Sequence, residues 1–208
     1  IDSNYACTYY PWVKTFDSDN NQYIYLPPTK DVVKNFAYTD NTAYPWFPAA
    51  GYSRGQISGV NPKKVLKLSE QDELYGGRIN FINKFASEGM RIWGDKNLQV
   101  AESQMNRISK RRLLVRIRKL LSIACIGLIF DPNDNTTVKS FKSAVEPILD
   151  DIRNKRGLTD YRIEVDDSQE ARDRLELPAK IYLKLQPNLE YIDISFVITP
   201  SGANFDDV

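Results

Sequence analysis

Residues 106–128, NRISKRRLLVRIRKLLSIACIGL, carry the clearest secondary-structure pattern of the chain. At 100° per residue their apolar side chains fall in one wide stripe, which predicts an amphipathic helix packed on a core. The stripe consists of Leu113, Leu114, Ile117, Leu120, Leu121, Ala124 and Leu128. The other side of the helix is basic and carries Arg107, Lys110, Arg111, Arg112, Arg116, Arg118 and Lys119. Within residues 101–120 only Glu102 opposes these seven cations, so the local charge is strongly positive.

The first 42 residues predict a hairpin followed by a helix. An aromatic, β-prone run at residues 5–14 and a second run at residues 22–26 flank a polar turn, and this arrangement favours two antiparallel strands. Thr29 is in the position of a helix N-cap, and a helix is predicted over residues 30–38. Its apolar face consists of Val32, Val33 and Phe36.

Residues 43–63 predict an ordered but irregular loop, because they contain six prolines and glycines. Trp46, Phe47 and Tyr52 are predicted to anchor it. After the loop, Ser69 and Asp72 resemble a capping box that opens a short helix. Residues 79–85 form a further apolar stretch, and residues 90–93 predict a short buried strand.

The rest of the chain predicts one helix and three strands, which gives a mixed α/β fold with a mixed β-sheet flanked by helices. Apolar residues at helical spacing over residues 138–152 predict the helix, with a kink at Pro147 and Gly157 in the C′ position. Strands are predicted at residues 161–165, 180–186 and 191–199. The last two alternate apolar side chains on one face: Ile181, Leu183 and Leu185, then Ile192, Ile194, Phe196 and Ile198.

Composition excludes several classes of function. The 208 residues include no histidine and two cysteines, so histidine-based catalysis and cysteine-rich metal sites are not expected. We expect no cofactor, no metal and no enzymatic activity. The 28 basic and 27 acidic residues leave a net charge of +1, which gives no global preference for nucleic acid or a membrane. No apolar run is long enough to cross a bilayer, and free thiols suggest a cytosolic location.

Two further patterns fail as ligand sites. Asp131, Asn133 and Asn135 have the spacing of a calcium loop, but Thr136 and Lys142 replace its turn glycine and its bidentate glutamate. A polar helix entry is the better interpretation. Gly51, Gly55 and Gly59 recur every four residues without a phosphate-binding motif, so they are interpreted as loop glycines.

Two features keep alternative interpretations. The basic helix 107–119 is compatible with a nucleic-acid- or phosphate-binding domain, or with a structural or protein-facing role, which its amphipathic pattern favours. The terminal strands either complete the sheet of this chain or pair with another chain as exchangeable edges.

Several motifs, in this order, resemble the C-terminal part of the tail sheath proteins of contractile-tailed bacteriophages. Residues 46–55, WFPAAGYSRG, are similar to the family's W-x-x-P-A-G-x-x-R-G segment, and residues 74–80 to its L-Y-x-x-x-I-N. Residues 93–98, WGDKNL, resemble its glycine-centred strand exit. Residues 107–113 resemble its R-I-N-V-R-R-L helix start, and residues 202–208, GANFDDV, its closing G-A-x-F-D-E-hydrophobic motif. Pro48 lies one position early, and Ser109-Lys110 replaces Asn-Val.

The resemblance implies a structural subunit that polymerises as stacked six-subunit rings around a tail tube and contracts to drive the tube through the host envelope. It implies that residues 1–208 are the inner, tube-proximal domain of a longer subunit and that residues 187–208 are a C-terminal arm. The implied partners are further copies of the chain, the tail tube protein, and baseplate and tail terminator proteins, with no membrane and no direct nucleic acid. The implied location is the virion tail, assembled in the host cytoplasm.

The resemblance also points to three groups of residues. Inter-subunit strand exchange is expected at Ile181, Leu183, Leu185, Tyr191, Ile192, Ile194, Phe196 and Ile198. The basic helix is expected to face the tube or a neighbouring subunit through Arg107, Lys110, Arg111, Arg112, Arg116, Arg118 and Lys119. A structural loop is expected around Trp46, Pro48, Gly51, Arg54 and Gly55.

Overall fold

The first half of the chain contains two small sheets in the computed structural model, which describes residues 1–191. One sheet contains β1 (Thr8–Tyr10), and the other contains β2 (Val13–Asp17), β3 (Gln22–Leu26) and β4 (Asn61–Pro62) in the order β3-β2-β4. The first sheet continues with β5 (Ile79–Phe85) and β6 (Gly89–Trp93) in the order β1-β5-β6. β1 runs parallel to β5, and all other pairs are antiparallel.

Six α-helices accompany the sheets in the described residues. They are α1 (Thr29–Thr42), α2 (Gly51–Arg54), α3 (Leu68–Gly76), α4 (Ile108–Cys125), α5 (Asn135–Asn154) and α6 (Gln169–Asp173). Single 3₁₀ turns at Gln104–Asn106 and Ile126–Leu128 flank α4. β7 (Leu158–Val165) and β8 (Ala179–Leu185) form an antiparallel pair. The predicted mixed α/β fold is therefore confirmed.

The apolar side chains pack in two separate cores. The first lies between the N-terminal sheets and α1, and contains Val13, Val32, Ile57, Ile82, Met90 and Ile92. The second lies between α4, α5 and the β7–β8 pair, and contains Trp46, Leu113, Ile117, Val145, Leu149, Ile152, Leu158 and Leu185. Each fully buried aliphatic side chain contributes about 1.5–3 kcal/mol. The predicted stripe of α4 faces the second core: Leu113 and Ile117 are buried, and Leu114, Leu120 and Leu121 pack beside them.

The predicted hairpin forms, but its first strand is shorter than predicted. Residues 5–14 were expected to be continuous, whereas Thr8–Tyr10 pairs with β5 and Val13–Asp17 pairs with β3. Pro11 lies between the two pieces and has no backbone N–H to donate to a ladder. The chain therefore changes sheets at this proline.

Two helix starts and one buried face also differ from prediction. α1 runs four residues beyond Tyr38, and Thr29 makes no side-chain cap bond. Val33 is 59% exposed, because Val32, Asn35, Phe36 and Thr39 occupy the inward positions of the helix. At the start of α3 the carboxylate is not that of Asp72: Glu70 accepts the backbone N–H of Lys67 at 2.9 Å.

The C-terminus of α5 places its glycine one position later than predicted. Arg156, not Gly157, has the left-handed backbone, with φ of 64°. The N–H of Gly157 donates to Ile152 O at 2.9 Å, and that of Arg156 to Arg153 O at 3.0 Å, as in a Schellman motif. A Cβ on residue 157 would lie 2.6 Å from Cγ2 of Ile152. Glycine is therefore required here by close packing rather than by φ.

The last predicted strand, residues 191–199, lies outside the described residues except for Tyr191. Within residues 1–191, no helix has the length and apolar character needed to span a bilayer.

Candidate assembly site

The basic helix divides into a half whose cations make contacts within the chain and a half whose cations do not. Lys110 is only 5% exposed, and its Nζ donates to Oδ1 of Asn188 at 3.0 Å. Burial lowers the pKa of this lysine, although the nearby Asp95 carboxylate opposes that shift. Lys110 is therefore an internal cation and not a surface one.

Arg107 binds the segment that follows β8. Its Nε donates to Oε1 of Glu190, and its Nη2 donates to Oε2 of the same carboxylate at 3.0 Å. The hydroxyl of Tyr75 also donates to Oε2, at 3.0 Å. Burial favours the neutral acid, but the hydrogen bonds and positive charge of Arg107 outweigh it and lower the pKa of Glu190. The two side chains retain 22% exposure each, so the pair is shielded from much of the solvent.

A buried carboxylate caps the start of α4. The backbone N–H of Ser109 donates to Oδ1 of Asp95 at 3.1 Å, and the Ser109 hydroxyl donates to Oδ2. Nδ2 of Asn188 in turn donates to the Ser109 hydroxyl at 3.1 Å. Burial raises the pKa of Asp95 to about 6, and the bonds from Ser109 oppose that shift. Lys110, Asn188, Ser109 and Asp95 thus form one continuous hydrogen-bonded chain.

Arg111 and Arg112 pack on aromatic rings of the N-terminal half. The guanidinium of Arg111 lies 4.3 Å from the Tyr5 ring centroid, and that of Arg112 lies 4.6 Å from the ring of Phe36. Arg112 also pairs with the Asp40 carboxylate. Stacking of arginine on an aromatic face is favourable. These two arginines therefore tie α4 to the N-terminal half, and Arg112 does so through Phe36, which packs against the first core.

Arg116, Arg118 and Lys119 are exposed and have no ion pair within residues 1–191. Two large apolar side chains share their side of the helix, Val115 (52% exposed) and Ile123 (59% exposed). We call Val115, Arg116, Arg118, Lys119 and Ile123 the outer face of α4. Of the seven predicted cations, Arg116, Arg118 and Lys119 are the three that have no partner within residues 1–191.

The residues of β8 that were predicted for exchange face inward. Leu185 is buried in the second core, and Ile181 and Leu183 pack against it. Within the described residues, β7 pairs only with β8, and β8 only with β7. Each strand therefore has one backbone edge without a partner there, whereas their apolar side chains are already covered by α4 and α5. Tyr191 is 75% exposed, and Ile192, Ile194, Phe196 and Ile198 lie outside the described residues.

The predicted structural loop is held by specific contacts. The indole N–H of Trp46 donates to Lys155 O at 3.0 Å, and Arg54 Nε donates to Pro48 O at 2.9 Å. Gly51 has a φ of +79°, and a Cβ on Gly55 would lie 2.6 Å from the carbonyl oxygens of Gly51 and Ile92. The loop thus contacts both the end of α5 and β6. It leaves no room for a side chain at residue 55.

Residues 187–191, which we call the strap, lie between this loop and α4. A cavity of about 250 Å³ is lined by the strap, the loop and Tyr75, and a second cavity of about 500 Å³ is lined by the strap and the 3₁₀ turn before α4. Within residues 1–191 no backbone hydrogen bond involves the strap, so the side chains of Asn188 and Glu190 hold it.

Sequence reasoning missed the residues that organise this junction, namely Tyr75, Asp95, Ser109, Asn188 and Glu190. Tyr75, Asp95 and Ser109 belong to motifs that resemble the sheath family, but Asn188 and Glu190 belong to none. Their partners are 79 and 83 residues away in sequence, and no local spacing signals such pairs. The described residues contain no cluster of three or more His, Cys, Asp or Glu side chains that could hold a metal.

The fold is that of a contractile sheath. A solved structure of an extracellular contractile injection system, the PVC sheath complex in its contracted state, superposes with a TM-score of 0.87. That superposition covers 100% of this chain and 58% of the other, at 23% identity.

Sequence similarity then points to the sheaths of phage tails. The tail sheath protein of Vibrio phage KVP40 is 34% identical over 212 aligned positions, which cover 100% of this chain and 31% of that protein. The tail sheath protein of Enterobacteria phage T4 is 28% identical over 212 positions, covering 100% of this chain and 32% of that protein. No protein-family model matches the chain. The resemblance to tail sheath proteins is confirmed, and the chain spans about a third of the length of these relatives.

Proposed function

We propose that this chain is a structural, non-enzymatic part of a bacteriophage tail sheath that polymerises around the tail tube and contracts to drive the tube through the host envelope. Similarity to tail sheath proteins along the whole chain, in sequence and in fold, is the observation that carries this proposal. We further propose stacked hexameric rings, contacts with baseplate and tail terminator proteins, and assembly of the virion tail in the host cytoplasm. Residues 1–208 would form the inner, tube-proximal layer.

Strand exchange is the proposed means of linking subunits. The edges of β7 and β8 that have no partner strand within residues 1–191 offer backbone donors and acceptors to another strand. In this proposal Ile181, Leu183 and Leu185 keep the pair on its own core, and residues 191–198 of an arm formed by residues 187–208 pair with a neighbouring copy. The apolar side chains of β8 then stabilise the strand pair that accepts the arm, and the backbone of the pair makes the contact with the neighbouring copy.

The outer face of α4 is the proposed contact with the tube or with a neighbouring subunit. Its three free cations would attract an acidic surface, and Val115 and Ile123 would supply apolar area to be buried there. Arg107, Lys110, Arg111 and Arg112 contribute indirectly, because their contacts within the chain fix the position of the helix.

Electron microscopy of the purified protein tests the proposal. We expect long tubes with a regular helical repeat, whose formation depends on salt. Monodisperse particles at every salt concentration would contradict a self-polymerising sheath. A nucleic-acid- or phosphate-binding domain that uses helix 107–119 is the second candidate. This candidate predicts salt-sensitive retention on DNA. Within residues 1–191, helix 107–119 offers such a ligand three cations without a partner.

A further inference from the structure

Within residues 1–191, all hydrogen bonds of the strap are made by the side chains of Asn188 and Glu190. They bind residues at the start of α4 and the hydroxyl of Tyr75. Leu189 and Tyr191 alternate with them and are 79% and 75% exposed. The strap is therefore a surface segment that is anchored at every second residue.

The anchors are pairs of different strength. Glu190 receives two hydrogen bonds from one guanidinium and a third from the Tyr75 hydroxyl, and a forked arginine–carboxylate pair has a fixed geometry. Tyr75 is itself held, because Nζ of Lys96 donates to its backbone carbonyl at 2.9 Å and lies 4.0 Å from its ring centroid. Asn188 adds the weaker bonds to Lys110 and Ser109.

The strap is not closely packed along its length. It lines cavities of about 250 and 500 Å³, whereas close packing would resist displacement once these pairs separate. A segment with few buried apolar contacts opens at a lower cost than the core beneath it.

We infer that the strap is a latch: with Glu190 bound to Arg107 and Tyr75 it is held on the body of its own subunit, and with that pair broken it swings away and can contact a neighbouring copy. This inference rests on the proposed sheath function, in which one subunit must occupy two packings. Glu190 and Arg107 are positioning residues in this device, because they act by holding the strap.

Chymotrypsin cleavage after Leu189 and Tyr191 in the unassembled protein tests the latch directly. Loss of a charge-assisted hydrogen bond should speed cleavage about tenfold in Glu190→Gln and in Arg107→Gln. The double variant should be cleaved no faster than either single one, because both remove the same pair. Salt should accelerate cleavage of the unmodified protein and leave Glu190→Gln unchanged.

A matched control is Glu164→Gln, which breaks the exposed Arg162–Glu164 pair on β7. This variant should be cleaved at the original rate, and all variants should keep the same unfolding midpoint to within the shift of the control. Additive effects of the two single substitutions, or an unchanged cleavage rate in Glu190→Gln, would overturn the latch.

Tubes formed by Glu190→Gln test the link to assembly. We expect the variant to require a different salt concentration for tube formation or to form tubes with a different helical repeat. Tubes identical to those of the unmodified protein would refute a role of the latch in assembly. If the unmodified protein forms no tubes, the sheath function fails, whereas the cleavage result still decides whether the latch exists.

Discussion

Asp95 lies at the N-terminus of α4 and has a pKa raised to about 6 by burial, against an ordinary value of 3.8. Between pH 3.8 and about pH 6, the Asp95 carboxyl group has lost its proton in the unfolded chain but keeps it in the folded protein. Folding stability from this group is therefore fully present at low pH and falls as pH rises from about 4 to about 6.

Replacing Asp95 with asparagine should remove this pH dependence. Asparagine can still accept the Ser109 N–H and can donate to the Ser109 hydroxyl, so the cap should survive. Relative to the unmodified protein, the free energy of unfolding of Asp95→Asn should rise by up to about 3 kcal/mol between pH 4 and pH 7. Urea unfolding of both proteins across this range measures the difference. Parallel curves would show that Asp95 titrates normally.

The end of α5 offers a pair of opposite substitutions. Arg156→Gly should stabilise the protein by about 1 kcal/mol, because glycine adopts the left-handed conformation without steric cost. Gly157→Ala should destabilise it by about 1–3 kcal/mol, since the new Cβ would overlap Ile152. Thermal unfolding of the two variants distinguishes close packing from backbone conformation. If both substitutions stabilised the protein, or both destabilised it, the assignment of backbone conformation to residue 156 and of close packing to residue 157 would be wrong.

At the scale of elements, α4 combines two tasks along its length. Its first turns carry cations that are tied to Tyr5, Phe36, Asn188 and Glu190, whereas the later turns carry the exposed outer face. Only the later turns are free to contact another protein without breaking contacts inside the chain.

Reversal of the free charges should therefore weaken assembly without unfolding the subunit. Arg116→Glu combined with Arg118→Glu should prevent tube formation at low salt, because an acidic partner would then be repelled. Sedimentation of tubes at several salt concentrations provides the measurement. The control, Lys30→Glu with Lys139→Glu, applies the same charge change to exposed lysines on α1 and α5. Equal loss in both double variants would indicate a net-charge effect instead of a contact by α4.

At the scale of the whole molecule, two cores are joined by the loop at residues 46–55 and by α4. Trp46 belongs to the second core, while Gly55 contacts β6 beside the first. Arg111 and Arg112 extend from α4 to the N-terminal half. Within residues 1–191, these contacts hold the two cores together.

Truncation after Tyr191 should leave a folded protein that no longer polymerises. The cut keeps the strap and both cores, so circular dichroism and the unfolding midpoint should be unchanged, while the proposed donor strand at residues 192–198 is removed. Size-exclusion chromatography and electron microscopy report the assembly state. Normal tubes from the truncated protein would contradict strand exchange through this segment.

The periodic elements and the sheath resemblance could be predicted from the sequence. The stripe of α4 and the alternation of β8 are local patterns, because a helix or strand repeats its buried positions every few residues. Two local features depended instead on the segments that pack against them. Pro11 separates two strands because β1 and β2 belong to different sheets. Residue 157 is glycine because Ile152 lies against it.

Which cations of the basic helix have a partner within residues 1–191 could not be predicted from the sequence, because it depends on tertiary packing. Seven basic residues on one helix look alike in sequence, but four of them find their partners in Tyr5, Phe36, Asn188 and Glu190, which are distant along the chain. The strap was also invisible in sequence, since a charge pair separated by 83 residues leaves no periodic trace. Local sequence sets the side-chain types and their spacing, and the packing of distant segments sets each group's burial, partner and charge.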